Sequence, residues 1–181
     1  MSAMPQRSIV ERMKGAAMLD VNTYEEVEAD VGATGQAFVV VLIVAVCAAI
    51  GGADQGLSGI IIGPIMAVLA WLGWSAVTMF VGTKLFGGTA YMGELLRTLG
   101  FAQAPGVLLI LGIIPFFGGI IAFAVSIWQL VCVIVAIRQA LDFSTGKAVL
   151  TAIVGWLLIA IVGAILGAIF GLGGMVAGAI F

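Results

Sequence analysis

Histidine is absent from this chain, and charge of either sign is scarce: nine acidic and seven basic residues among 181. The first absence removes the commonest general base and metal ligand, and with it haem or chlorophyll ligation through imidazole. The second excludes an ordinary soluble domain, where about 25% of residues are charged; here the share is 9%. Basic patches interleaved with aromatics are missing, so nucleic acid is not an expected partner. Phosphate loops, nucleophile–base pairs and Cys/His metal spacings are missing too. These gaps predict a non-enzyme that holds no cofactor and no metal. Only two cysteines occur, Cys47 and Cys132. On helical spans their depths differ by roughly 13 Å, beyond the roughly 7 Å over which two Cα atoms are bridged. Both read as small apolar packing residues.

What is present in abundance is apolar length. Hydrophobic residues make up 63% of the chain, and four stretches carry no charge: 31–53, 55–83, 98–137 and 148–181. Each exceeds the roughly 20 residues that cross the hydrocarbon core as a helix. None alternates as barrel strands do. Taken as one helix, residues 98–137 would reach about 60 Å, twice the hydrocarbon thickness. Pro115-Phe116-Phe117-Gly118-Gly119 supplies a break near the middle. The expected architecture is therefore an all-α polytopic transmembrane bundle of five spans, near 33–51, 57–85, 105–116, 119–137 and 148–170. Residues 1–32 form an N-terminal helical segment, 33–170 the membrane domain, and 171–181 a Gly-rich apolar tail.

With the chain cut this way, all seven basic residues fall on one side. Arg7, Arg12 and Lys14 precede span one, Lys84 and Arg97 separate spans two and three, and Arg138 and Lys147 separate spans four and five. Short Lys/Arg-rich loops stay cytoplasmic, so the N-terminus is expected inside and the C-terminus outside. The polar lead before the first apolar run argues against a cleavable signal peptide. Ser8 with Glu11, and Thr23 with Glu26, fit capping boxes that start two helices. The first sets Val10, Met13 and Ala17 on one face; the second is expected to run straight into span one. Between spans two and three, Tyr91, Met92, Leu95, Leu96 and Leu99 recur at helical spacing, with Glu94 and Arg97 off that face. The spacing predicts an interfacial helix on the cytoplasmic side.

Gln129 is the one strongly polar residue at mid-span depth, suited to an internal helix–helix hydrogen bond or to a ligand. Gly59 and Gly63 in span two, and Gly163, Gly167 and Gly171 in span five, form small-residue ridges that permit close backbone approach. The two ridges lie at matching depth, so spans two and five are expected to touch there within one chain. Internal packing uses the same device as dimerisation, and a homo-oligomer is not the favoured reading. Trp71, Trp74, Trp128 and Trp156 lie too deep for an interfacial belt and are expected to fill space between helices.

Three segments resemble the prokaryotic branch of the Yip family, five-span proteins named for interaction with Ypt/Rab GTPases. The first runs from Tyr24-Glu25-Glu26-Val27-Glu28-Ala29-Asp30 to Gly35-Gln36-Ala37. The second is Glu94-Leu95-Leu96-Arg97-Thr98-Leu99-Gly100-Phe101-Ala102-Gln103-Ala104-Pro105. The third is Trp128 followed by Ala136-Ile137-Arg138-Gln139-Ala140-Leu141, Ser144 and Lys147-Ala148. Within them Gly100, Phe101, Pro105 and Arg138 are the family-like positions. The eukaryotic Asp-Leu-Tyr-Gly-Pro signature is replaced here by Asp30-Val31-Gly32-Ala33, so the resemblance does not carry GTPase binding to this chain. It implies an integral protein of a prokaryotic cytoplasmic membrane. Such a protein organises the membrane or adapts one protein to another, with the lipid bilayer and other membrane proteins as partners. Two rivals stand beside this reading: an accessory subunit of a larger membrane complex, and a small-solute transporter or channel. The last would need a polar path, for which Gln129, Ser75, Thr78 and Ser126 are the candidates.

Overall fold

A computed structural model describes residues 7–52 and 56–180, with side chains for 7–52, 61–165, 167 and 168. Among the described residues every regular element is a helix. The chain begins with two short ones, α1 (Ile9–Ala17) and α2 (Val21–Ala29). The capping box at α1 forms as expected: the Ser8 N–H donates to Glu11 Oε2 at 2.7 Å, and the Glu11 N–H to Ser8 Oγ at 3.3 Å. The expected box at Thr23 does not form. Asp20 caps α2 instead, accepting from the Asn22 N–H at 3.1 Å, and Thr23 is buried one turn in, its hydroxyl bonded to Asp20. Nor does α2 run into the first span. Asp30 leaves the helix in an extended conformation, and α3 starts afresh at Ala33. α1 turns Arg12 and Ala16 inward and leaves Val10 exposed, so its buried face is not the Val10–Met13–Ala17 face read from apolarity.

Five helical stretches among the described residues are long and apolar enough to cross a membrane. They belong to α3 (Ala33–Gly51), α4 (Gly56–Leu85), α5 (Met92–Phe101) continued by a 3₁₀ helix η1 (Ala104–Ile113), α6 (Gly118–Ala140) and α7 (Thr145–Ile180). The break before Gly118 stands where the sequence places it, with Phe116 at φ 68° and almost fully exposed at the turn. η1 and α6 form the expected hairpin. The third crossing differs from expectation in two ways. Its ten membrane residues wind as 3₁₀ helix, which rises about 2.0 Å per residue against 1.5 Å for α and so stretches a short run over about 20 Å. Moreover, α5 does not lie free on the surface of the bundle. Leu95, Leu99 and Phe101 are buried, and the helix packs against α3, α4 and α6.

Contacts run from α3 to α4, α4 to α7, α7 to α6, α6 to η1 and η1 back to α3, a closed ring of five crossings. α5 stoppers the end of the ring that carries α1 and α2, here called the head end. Outward-facing apolar side chains such as Ile61, Ile65 and Leu69 on α4, and Ile120, Phe123 and Ile127 on α6, remain exposed. So large an apolar girdle is what hydrocarbon, not water, tolerates.

Spans two and five do touch, but Gly155 rather than Gly63, Gly163 or Gly167 lies at the contact. The edge of Trp74 and a methyl of Val77 lie 3.4 and 3.5 Å from where a Cβ on Gly155 would stand. A Cβ at Gly63, Gly163 or Gly167 meets nothing within 4 Å, so these positions do not form the expected meeting ridges. The side-chain surroundings of Gly59 and Gly171 lie outside the described residues. The close approach falls between spans one and three. A Cβ on Gly112 would stand 2.8 Å from the Gly51 oxygen, and one on Gly51 would strike the Leu109 carbonyl. Among the described residues α3 and η1 accordingly make the most extensive contact between two elements. Parallel crossings explain the difference: both run away from the head end, so Gly51, fourteen residues after Ala37, stays level with Gly112, twelve residues after Gly100 on a crossing whose 3₁₀ part rises faster.

Candidate functional site

Two features converge near the head end: a charged network that docks α1 and α2 onto the ring, and a cavity inside the ring just beyond it. Arg12 is 1% exposed and spends its guanidinium on three partners. Nε donates to Glu26 Oε1 at 3.0 Å, one terminal nitrogen to Asp30 Oδ2 at 2.8 Å, and the other to Gln36 Oε1 at 2.9 Å. One side chain thus ties α1 to α2 and to the first turn of α3. Arg97, expected off the apolar face of α5, is buried as well. Its Nε donates to the Val27 and Glu28 carbonyls at 2.9 and 3.1 Å, and a terminal nitrogen also bonds the Glu28 carbonyl. These are orphan acceptors of the last turn of α2, where the helix dipole favours a cation. A third tie comes from α6. Its Trp128 donates the indole N–H to the Ala17 carbonyl at 2.7 Å, while within the head the Tyr24 hydroxyl of α2 donates to Ala16 O of α1 at 3.0 Å. Trp128 stands ten residues, about 15 Å, from the far end of α6. The head is therefore seated against the flank of the spans rather than hanging below them.

The same packing shapes acid–base behaviour. Burial holds the Tyr24 phenol well above its usual range, so it remains a donor. Glu28 is pushed up to about 7, first by burial and then by the charges of Glu25, Glu94 and Asp142, with Arg97 opposing. A carboxyl that binds its proton more tightly folded than unfolded stabilises the fold at low pH. That stabilisation drains away as pH rises from about 4.5 through about 7. Glu28→Gln should remove the drain. Thermal unfolding in detergent between pH 5.5 and 8.5 should show the unmutated chain losing on the order of 1 kcal/mol relative to the variant, Glu28 being only half-buried. Parallel pH profiles for the two chains would contradict it.

The cavity has a volume of about 650 Å³ and is lined from all five crossings: Val44 and Ala48 on α3, Trp71 and Trp74 on α4, Leu109 on η1, Gln129 on α6 and Ile159 on α7. Gln129 Nε2 donates to the Gln103 carbonyl at 3.1 Å and lies 3.4 Å from Gln103 Oε1. That is the internal helix–helix bond read from sequence, and it also faces the cavity. Gly106 makes it reachable, since a Cβ there would stand 2.6 Å from Gln129 Nε2. The other candidate polar residues do not join Gln129. Ser126 bonds its own helix at Phe123 O, while Ser75 and Thr78 are buried with their hydroxyl oxygens unbonded and do not line the cavity.

Of the family-like positions, Gly100 lets α5 lie on Ala37 (a Cβ would sit 2.8 Å from that methyl) and Phe101 is fully buried. Pro105 opens η1, and Arg138 donates to Gln139 Oε1 at 2.8 Å. Cys47 and Cys132 are both free and buried. Of the four tryptophans, Trp71 and Trp74 pack between helices, but Trp156 is 72% exposed on the outer surface. Sequence reasoning passed over Arg12 and Gln103 as functional positions. Arg12 carried a signal, a basic residue at helical spacing between buried-face neighbours Ile9 and Ala16. Gln103 carried none.

A ring of apolar crossings with a polar segment docked at one end defines an integral, helical membrane protein. The Yip1 domain matches residues 21–179, and the chain belongs to that family. Comparison with curated proteins and with solved structures gives no match.

Proposed function

We propose that this Yip-family protein works by binding, without turnover, as an adaptor that holds or organises other components of the membrane from its head end. The observation that supports this is the seating of the head. Arg12, Arg97 and Trp128 lock α1 and α2 to the spans, which leaves the outward side of α1 as a fixed surface. Val10, Lys14 and Met18 stand there one turn apart, Val10 and Met18 each 68% exposed. A rigid ridge of mixed apolar and basic character suits a protein partner, since no ordering cost remains to be met on this side. The basic residues at the head end support a cytoplasmic placement for it, in a prokaryotic cytoplasmic membrane.

Native mass spectrometry after gentle detergent extraction tests the reading. A second membrane or peripheral protein should remain bound at fixed stoichiometry and be released by Val10→Asp with Met18→Asp. A cysteine placed beside Lys147 in a Cys-free background should stay unreactive toward an impermeant reagent added outside. A lone chain in the spectrometer, or outside labelling beside Lys147, defeats the corresponding half of the proposal.

A further inference from the structure

We propose that the cavity inside the ring is a binding site for a single-tailed neutral lipid, a long-chain alcohol in chemical class, taken up from the bilayer. The volume sets the size. A cavity of about 150 Å³ accepts one benzene, so 650 Å³ accommodates roughly 25 carbon-sized atoms. The walls set the chemistry. Among the described residues they are alanine, valine, leucine, isoleucine, glycine and tryptophan, with Gln103 and Gln129 as the polar members. With Gln129 Nε2 committed to Gln103, two amide atoms have no hydrogen-bond partner among the described residues: Gln129 Oε1, an acceptor, and Gln103 Nε2, a donor. One acceptor beside one donor is the complement of a hydroxyl, which offers one of each.

Charged headgroups do not fit the same place. No ionisable side chain among the described residues lines the cavity, and a phosphate or ammonium taken into such surroundings would remain unpaired at large cost. Access is lateral. Ala70, Gly73 and Ile159 line the cavity and also carry exposed surface, so its mouth opens on the lipid-facing side of the ring while α5 closes the head end. A ligand that enters there arrives tail-first or head-first from the membrane itself, and its hydroxyl is held at the amide pair. The site is independent of the head surface assigned above, so either reading survives loss of the other.

The full chain in phosphatidylcholine nanodiscs, irradiated with a diazirine-bearing hexadecanol, tests the site. Cross-links are expected on α3 near Val44, on α4 near Trp71 and on η1 near Leu109, competed away by plain hexadecanol but not by hexadecane or by a choline phospholipid. Gly73→Leu should abolish at least nine-tenths of this labelling with unchanged thermal stability, because a Cβ at Gly73 meets nothing within 4 Å and the larger side chain projects into free space. Gln103→Leu with Gln129→Leu should erase the preference for the alcohol over the alkane, about tenfold. Labelling spread evenly over the outer girdle, or insensitive to hexadecanol, overturns the proposal. So does equal competition by hexadecane in the unmutated chain, a measurement that stands even where a variant fails to fold.

Discussion

Arg12→Ala should destabilise the folded chain by about 3 kcal/mol, the lower end of the range for breaking a buried ion pair. The guanidinium is 1% exposed, while Glu26 and Asp30 retain 29% and 21% exposure, so water recovers part of the loss on the acidic side only. Glu26, Asp30 and the Gln36 amide would each lose a bond at once, although Glu26 keeps its ion pair with Arg7 Nε at 3.2 Å. Lysine should not rescue the loss. Its single ammonium cannot reproduce three bonds that leave the planar fork in three directions. Unfolding in detergent by a chemical denaturant gives the energy, and trypsin cleavage after Arg7 and Lys14 should accelerate as the head detaches. A change below about 1 kcal/mol would show the network to be ornamental.

Gly51→Leu should cost more than the usual overpacking range of about 1–3 kcal/mol, because the new Cβ would land on the backbone carbonyl of Leu109 rather than on a flexible side chain. Spans one and three would have to separate at their closest point, along the 3₁₀ run of η1. Gly167→Leu is the contrasting case. Nothing lies within 4 Å of its Cβ position, and the change should stay within about 0.5 kcal/mol. Thermal unfolding of the two variants side by side decides the matter, and equal stability of both would refute the parallel glycine contact. The contrast also bears on how glycine patterns are read. Gly163 and Gly167, spaced Gly-x-x-x-Gly in α7, face open space, whereas Gly51 and Gly112, which belong to no such stripe, meet across the bundle.

Much of this molecule was legible without coordinates, and for one reason. Crossing a bilayer is a demand each segment meets alone: enough apolar length, all backbone bonds satisfied within the helix. Hence the five crossings, the turn before Gly118, and the gathering of Arg12, Lys84, Arg97 and Lys147 at one end follow from local composition. The internal bond of Gln129 follows almost as directly, since an amide at that depth needs a partner. What the tertiary structure alone decided depends on which helices become neighbours. Leu95 and Leu99 marked an apolar face, yet nothing local distinguished a headgroup surface from the inside of a ring. Arg97 stood off that apolar face, and only the end of α2 supplies the carbonyls among which it is buried. Gln103 gained meaning only when Gly106 let α6 approach, and Gly51 only when η1 ran parallel to α3. A span is determined by its own residues because the membrane acts on each one separately; a cavity or a docking network is shared among several, and no single segment carries its imprint.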